Sequence, residues 1–181
     1  YRERIYDTIN LLWVRSFSKI YNPLLAIKVL KALQDQGFNA TLCMVGPEGD
    51  GSLQEAQNFA KTLQVEVLFT GKLSKKAWVD VSENYNIFIN TTNFDNMPVS
   101  VMEAMALGLP IISTNVGGMP FIIENGYNGL LVNPNNVEEF VNAVKWIISH
   151  PNGANQLANR ARNIVELFDW EQIKNRWSSL L

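Results

Sequence analysis

Cysteine and histidine are nearly missing: one of each occurs in 181 residues. A lone cysteine excludes an internal disulfide, and a lone histidine excludes multi-histidine metal sites and argues against a histidine-centred nucleophilic triad. No apolar run approaches the roughly 20 residues that a membrane-spanning helix needs, and Tyr1-Arg2-Glu3-Arg4 lacks the apolar core of a signal peptide. Basic excess is absent too. Fifteen Lys and Arg against 17 Asp and Glu leave a net charge of -2, which is no footprint for duplex nucleic acid and allows only a local cationic pocket. Chemistry in this chain must rest on carboxylates, Arg, Lys and the backbone.

What the sequence does contain is alternation. Short β-branched runs at Leu11-Phe17, Ala40-Val45, Glu66-Thr70, Ile87-Asn90, Ile111-Ser113 and Leu130-Val132 are separated by segments of helical period. Asn22-Pro23 opens one helix and Gly37 closes it; Ser52 with Glu55 and Asn136 with Glu139 resemble capping boxes, and Ser74 can cap a helix through Val81. The pattern predicts an α/β class, a doubly wound parallel six-stranded sheet with helices on both faces. No repeat or linker interrupts residues 1-181, which read as one domain. A last helix from Asp169, with Gln172 completing its cap, carries Trp170, Ile173, Trp177 and Leu180 at helical spacing. That stripe packs either on its own domain or on a domain outside this chain. A first strand near residue 11 with no initiating methionine reads as part of something longer.

In a doubly wound sheet the ligand binds at the carboxyl ends of the strands, where the strand order reverses, commonly between the first and fourth. The rule selects Arg15-Ser16-Phe17-Ser18-Lys19 and Thr91 to Pro98, putting two cations and Asp95 at one crevice. The second loop enters a helix, Val99 to Gly108, whose polar residues are Ser100 and Glu103; it is expected to be buried nearly all round, with its amino end at Pro98 open to an anion. Glu103 either accepts hydrogen bonds from a vicinal diol such as a ribose, or pairs with Arg15 or Lys19. Gly117-Gly118 permits close approach to a ligand or simply punctuates a turn. The run from Gly46 to Gly51 lacks the Lys-Ser/Thr of a phosphate-binding loop. Cys43 reads as a core residue and His150 as a complement to a helix end.

Asp95, seven residues, Glu103-Ala104-Met105-Ala106-Leu107-Gly108-Leu109-Pro110, then Gly117-Gly118 and Glu124-Asn125-Gly126-Tyr127-Asn128-Gly129-Leu130-Leu131-Val132, together resemble the donor-binding domain of family 4 glycosyltransferases, glycosyltransferase group 1. Val14-Arg15, Met44-Val45-Gly46, Leu68-Phe69-Thr70-Gly71 and Phe168-Asp169-Trp170 extend the resemblance over nearly the whole chain. It implies a Rossmann-like half of a two-domain GT-B enzyme, retaining and cytoplasmic, that takes a UDP- or GDP-sugar without metal or other cofactor. Glu103 would bind the ribose and Asp95 would contact the donor sugar. Arg15 and Lys19 would neutralise the diphosphate, with Pro98, Val99, Ser100, Gly46 and Gly71 along the nucleotide. A glycan or lipid-linked acceptor would bind the absent N-terminal domain, to which any association with the inner membrane face would also belong. Three departures stand out. Asp95 replaces a glutamate, the usual Lys-Gly aligns near Ile20-Tyr21 instead of Lys19, and Phe121 stands where Gly-Gly-x-Pro-Glu has its acid. The resemblance also leaves room for a sugar-nucleotide epimerase or a non-catalytic nucleotide-binding module.

Overall fold

The computed structural model describes residues 1-171, 173 and 174. Strand and helix alternate from β1 (Ile9–Val14), α1 (Pro23–Asp35), β2 (Ala40–Val45) and α2 (Ser52–Thr62) through β3 (Leu68–Gly71), α3 (Lys75–Ser82), β4 (Ile87–Asn90) and α4 (Val99–Ala106). The series closes with β5 (Ile111–Thr114), the short α5 (Met119–Ile122), β6 (Leu130–Val132), α6 (Val137–Ser149) and α7 (Pro151–Glu166). All strand pairs are parallel, in the order β3-β2-β1-β4-β5-β6, so the order reverses between β1 and β4 as expected.

Period-two alternation builds a core on each face. Leu11, Trp13, Leu42, Met44, Ile87 and Ile89 point to the side covered by α1, α2 and α6, while Leu12, Cys43, Val45 and Phe88 point to the side of α3, α4 and α7. Arg4 is 6% exposed and closes two helix ends at once, donating to the carbonyls of Ser82 (2.8 Å), Tyr85 (3.0 Å) and Leu107 (3.0 Å). Burial lowers its pKa from the ordinary arginine value. His150 sits between α6 and α7, stacked on Trp146 at 5.0 Å with Nδ1 against the Trp146 carbonyl. Cys43 is buried, with its thiol pKa pushed up by burial.

Several sequence expectations need correction. The first strand ends at Val14 and not at Phe17: Arg15 N–H still donates to the Val45 carbonyl (3.0 Å), but regular pairing stops there and Phe17 makes only an isolated bridge to Glu48. The third begins at Leu68, since the close of α2 occupies Gln64 and Val65. Ser52 is the first helical residue of α2, not its cap. The orphan N–H groups there are taken by Glu48, whose carboxylate accepts from Gly49, Asp50, Gly51 and Leu53. Asn22 adopts a left-handed conformation and makes no side-chain cap. Asn136 and Ser74 do cap their helices, accepting from Glu139 N–H (3.1 Å) and Ala77 N–H (3.2 Å). Pro98 precedes α4 as its cap, and α4 buries only Val101, Ala104 and Met105, leaving Val99 56% exposed. Of the terminal stripe, Trp170 is exposed and Ile173 half-buried; Gln172, Trp177 and Leu180 lie outside the described residues.

Candidate nucleotide-sugar site

The strand reversal splays the chain ends after β1 and β4, and the loops there are laced together by side-chain and backbone hydrogen bonds. Trp13 Nε1–H donates to Thr91 Oγ1 (2.9 Å), the Thr91 hydroxyl lies 2.9 Å from the Tyr21 and Asn22 carbonyls, and Asn93 N–H donates to the Ile20 carbonyl (2.7 Å). A second clamp comes from Gly117-Gly118. Gly118 N–H donates to the Asp95 carbonyl (2.7 Å), and a Cβ on Gly118 would overlap the Asn96 carbonyl. The glycine pair therefore does need close approach, but to the loop that carries Asp95. Gly46 plays the same part for β2: its N–H donates to the Gly71 carbonyl (2.9 Å), and its α-carbon faces the Arg15 carbonyl too closely for any side chain.

Arg15 and Asp95 form an ion pair, Nη2 to Oδ2, with side chains only 15% and 13% exposed. The Tyr21 ring lies 4.2 Å from the Arg15 guanidinium carbon, a cation-π contact that fixes the plane of the fork. Beside this pair opens a cavity of about 320 Å³ lined by Arg15, Gly46, Lys72, Val99, Ser100 and Glu103, among others. Two of its polar groups, Arg15 Nε and Ser100 Oγ, are buried and without a protein partner. Ser100 is in the first turn of α4, where backbone N–H groups and the helix dipole also favour an anion.

Glu103, one turn beyond Ser100 on α4, lines this cavity and also borders a second one, of about 620 Å³, between α4 and the end of α7. It pairs with neither Arg15 nor Lys19. Its partner is Lys75, from the start of α3, in an ion pair whose lysine side chain is 71% exposed and whose glutamate is 23% exposed. Lys19 is not brought to the Arg15 cavity: it lines a separate one of about 140 Å³ with Ser52 and Glu55, and its backbone N–H donates to Asp50. That aspartate also accepts from the Ser52 and Ser18 hydroxyls, and these bonds hold its pKa down to about 2. Phe121, at the departure from the family pattern, is 89% exposed.

Lys72 and Lys75 were missed by reading only the two loops at the strand reversal. The signal was present in Lys72-Leu73-Ser74-Lys75-Lys76, a basic run at the carboxyl end of the third strand and hence at the same edge of the sheet. Among the described residues no group of three or more His, Cys, Asp or Glu stands together to hold a metal ion, and no helix is long and apolar enough to cross a membrane.

The chain belongs to the glycosyl transferases group 1 family, whose model matches residues 4–164. An uncharacterized glycosyltransferase of Haemophilus influenzae is 32% identical over 140 residues, covering 74% of this chain and 38% of that protein. The sulfoquinovosyl transferase of Arabidopsis thaliana is 26% identical over 148 residues, 80% of this chain and 28% of its own length. Among solved structures, sucrose-phosphate synthase from Thermosynechococcus elongatus superposes with a TM-score of 0.84 at 24% identity, over 98% of this chain and 45% of that one. Anabaena HepE, solved in complex with UDP and glucose, gives 0.82 at 21% identity, over 96% and 49%. The chain thus spans half or less of these proteins, and the Rossmann-like α/β class and the family read from the sequence are both borne out.

Proposed function

We propose that residues 1-181 form the donor-binding domain of a retaining, metal-independent glycosyltransferase that moves a sugar from a nucleoside diphosphate sugar to a glycan or lipid-linked acceptor. The observation that carries the reading is the pair of buried, unpartnered polar groups, Arg15 Nε and Ser100 Oγ, in one cavity with Glu103. An anion held there would share its cavity with a carboxylate able to accept from a ribose diol. Anabaena HepE, with UDP and glucose in its structure, lends the substrate class.

In this reading the diphosphate lies against Arg15, Ser100 and the amino end of α4 behind Pro98 and Val99, with the Gly46 and Gly71 turns closing the nucleoside side. Lys72 supplies the second cation in place of Lys19, since it lines the cavity and Lys19 does not. Transfer breaks the bond from the anomeric carbon to the diphosphate oxygen, whose electron pair goes to the leaving group. The acceptor hydroxyl forms the new bond on the same face, and its proton passes to the departing phosphate oxygen. Cations preorganised around that oxygen stabilise its developing charge, and no enzyme nucleophile, metal or further cofactor is called on. The acceptor, and any contact with a membrane, belong to an N-terminal domain outside this chain. The chain alone is expected to bind nucleotide weakly and transfer little sugar.

Calorimetric titration with UDP, GDP and ADP, repeated on Glu103→Ala, tests the reading. One nucleotide should bind, and the variant should weaken it by about 1.5–3 kcal/mol, the range for a hydrogen bond to a charged group. Binding that Glu103→Ala leaves untouched would refute the ribose role.

A further inference from the structure

Arg15 faces the anion cavity with its charge already answered. One edge of its guanidinium holds the Asp95 carboxylate, one face lies on Tyr21, and Nε is buried and open. Asp95 in turn is fixed from behind, its carbonyl held by Gly118 N–H, and the carboxylate has no other ion-pair partner among the described residues. A diphosphate arriving at the remaining edge of Arg15 would share one cation with that carboxylate and so fall within the roughly 4–6 Å at which neighbouring charges act strongly on each other. At such a separation, in a partly desolvated site, repulsion between like charges amounts to more than a tenfold change in affinity. The two anions compete for one cation.

We propose that Asp95 is the resident counter-ion of Arg15 in the empty site, and that a nucleoside diphosphate displaces it. The exchange keeps Arg15 ionised and oriented while no ligand is present. It also frees the Asp95 carboxylate when the donor is seated, on the side where positive charge develops on the sugar ring. This inference rests on the reading of the cavity as a diphosphate site, and it assigns a consequence to the shorter acid: aspartate at this position reaches Arg15 and is held by it until substrate enters.

The sign of one binding change decides between these possibilities. The probes are whichever of UDP, GDP and ADP the wild-type chain binds best, and the corresponding phosphate-free nucleoside, both measured by calorimetry. Asp95→Asn should tighten the diphosphate by at least about tenfold and leave the nucleoside unchanged, while Asp95→Glu, which keeps the charge, should stay within about threefold of wild type. A weaker or unchanged diphosphate affinity in Asp95→Asn overturns the exchange, the first result making Asp95 a support for Arg15 and the second making it a sugar contact alone. Arg15→Gln separates the two levels, since loss of diphosphate affinity there sustains the site reading even when the exchange fails, and no loss sinks both. Should Asp95→Asn fold poorly, a crystal structure of the wild-type chain with the diphosphate tests the same exchange directly. Asp95 and Arg15 should stand farther apart than the roughly 4 Å of an ion pair, and an intact pair refutes the proposal.

Discussion

Alanine at position 118 adds one methyl group where the backbone leaves no room for it. Gly118 has φ -83°, a conformation alanine adopts freely, so the substitution carries no local backbone penalty. Its Cβ would overlap the carbonyl of Asn96, and relief requires the Asp95–Asn96 segment to move away and surrender the 2.7 Å bond from Gly118 N–H to the Asp95 carbonyl. Overpacking of this kind costs about 1–3 kcal/mol and the lost hydrogen bond about 1 more, so Gly118→Ala should destabilise by about 2–4 kcal/mol. Gly126 supplies the contrast: φ is +77° but nothing lies within 4 Å of its would-be Cβ. Gly126→Ala should then cost only the left-handed penalty of about 1–2 kcal/mol. Urea denaturation of both variants gives the stabilities, and nucleotide titration shows whether Asp95 has moved. Equal stability losses, or a Gly118→Ala protein with wild-type nucleotide affinity, would refute the view that the glycine pair sets the position of the Asp95 loop.

Arg4→Met leaves three carbonyls at two helix ends without their donor and should cost about 3–5 kcal/mol in chemical denaturation. Ser74→Ala removes the α3 cap and should cost about 1 kcal/mol, with no change in nucleotide affinity. Lys75→Met breaks an exposed ion pair and should shift stability by less than about 1 kcal/mol, although nucleotide affinity should change because Glu103 loses its partner. Asp50 has a depressed folded pKa, about 2 against an ordinary 3.8, so the stability it brings is complete above the ordinary value and is lost as pH falls towards 2. Thermal melts across that window should show a steeper decline for wild type than for Asp50→Asn.

The sheet was legible because alternation and period survive without tertiary context. Leu11 against Leu12, or Met44 against Cys43, already declares two faces, and the strand-reversal rule then places a ligand before any fold is seen. Partners across long sequence gaps were not legible. The strand-reversal rule brings Arg15 and Asp95, 80 positions apart, to one crevice, but it does not say that they pair there, nor that Glu103 chooses Lys75 over Arg15 and Lys19. The α2 start misled because a serine followed by a glutamate three residues on fits a capping box, whereas the helix begins one residue earlier than that box requires: Glu55 N–H is taken by the Gly51 carbonyl, and Glu48 accepts from Gly51 and Leu53. For α4 the composition is apolar all round, but α4 lies at the rim of two cavities, so half of that surface faces space instead of core.

Much of the frame around Arg15 and Asp95 is main chain, the carbonyls and N–H groups of Ile20, Asn93, Asp95, Gly46, Gly71 and Gly118, with the Trp13 and Thr91 side chains as further ties. Such a frame is indifferent to what its neighbours carry on their Cβ atoms. Phe94, Met97 and Phe121 project into solvent, whereas 46 and 118 admit no side chain at all. Rigidity and variability are thus assigned to different atoms of the same loops. Substitutions confined to 94, 97 and 121 should leave the Arg15–Asp95 pair in place, whereas a side chain at 46 or 118 should displace it.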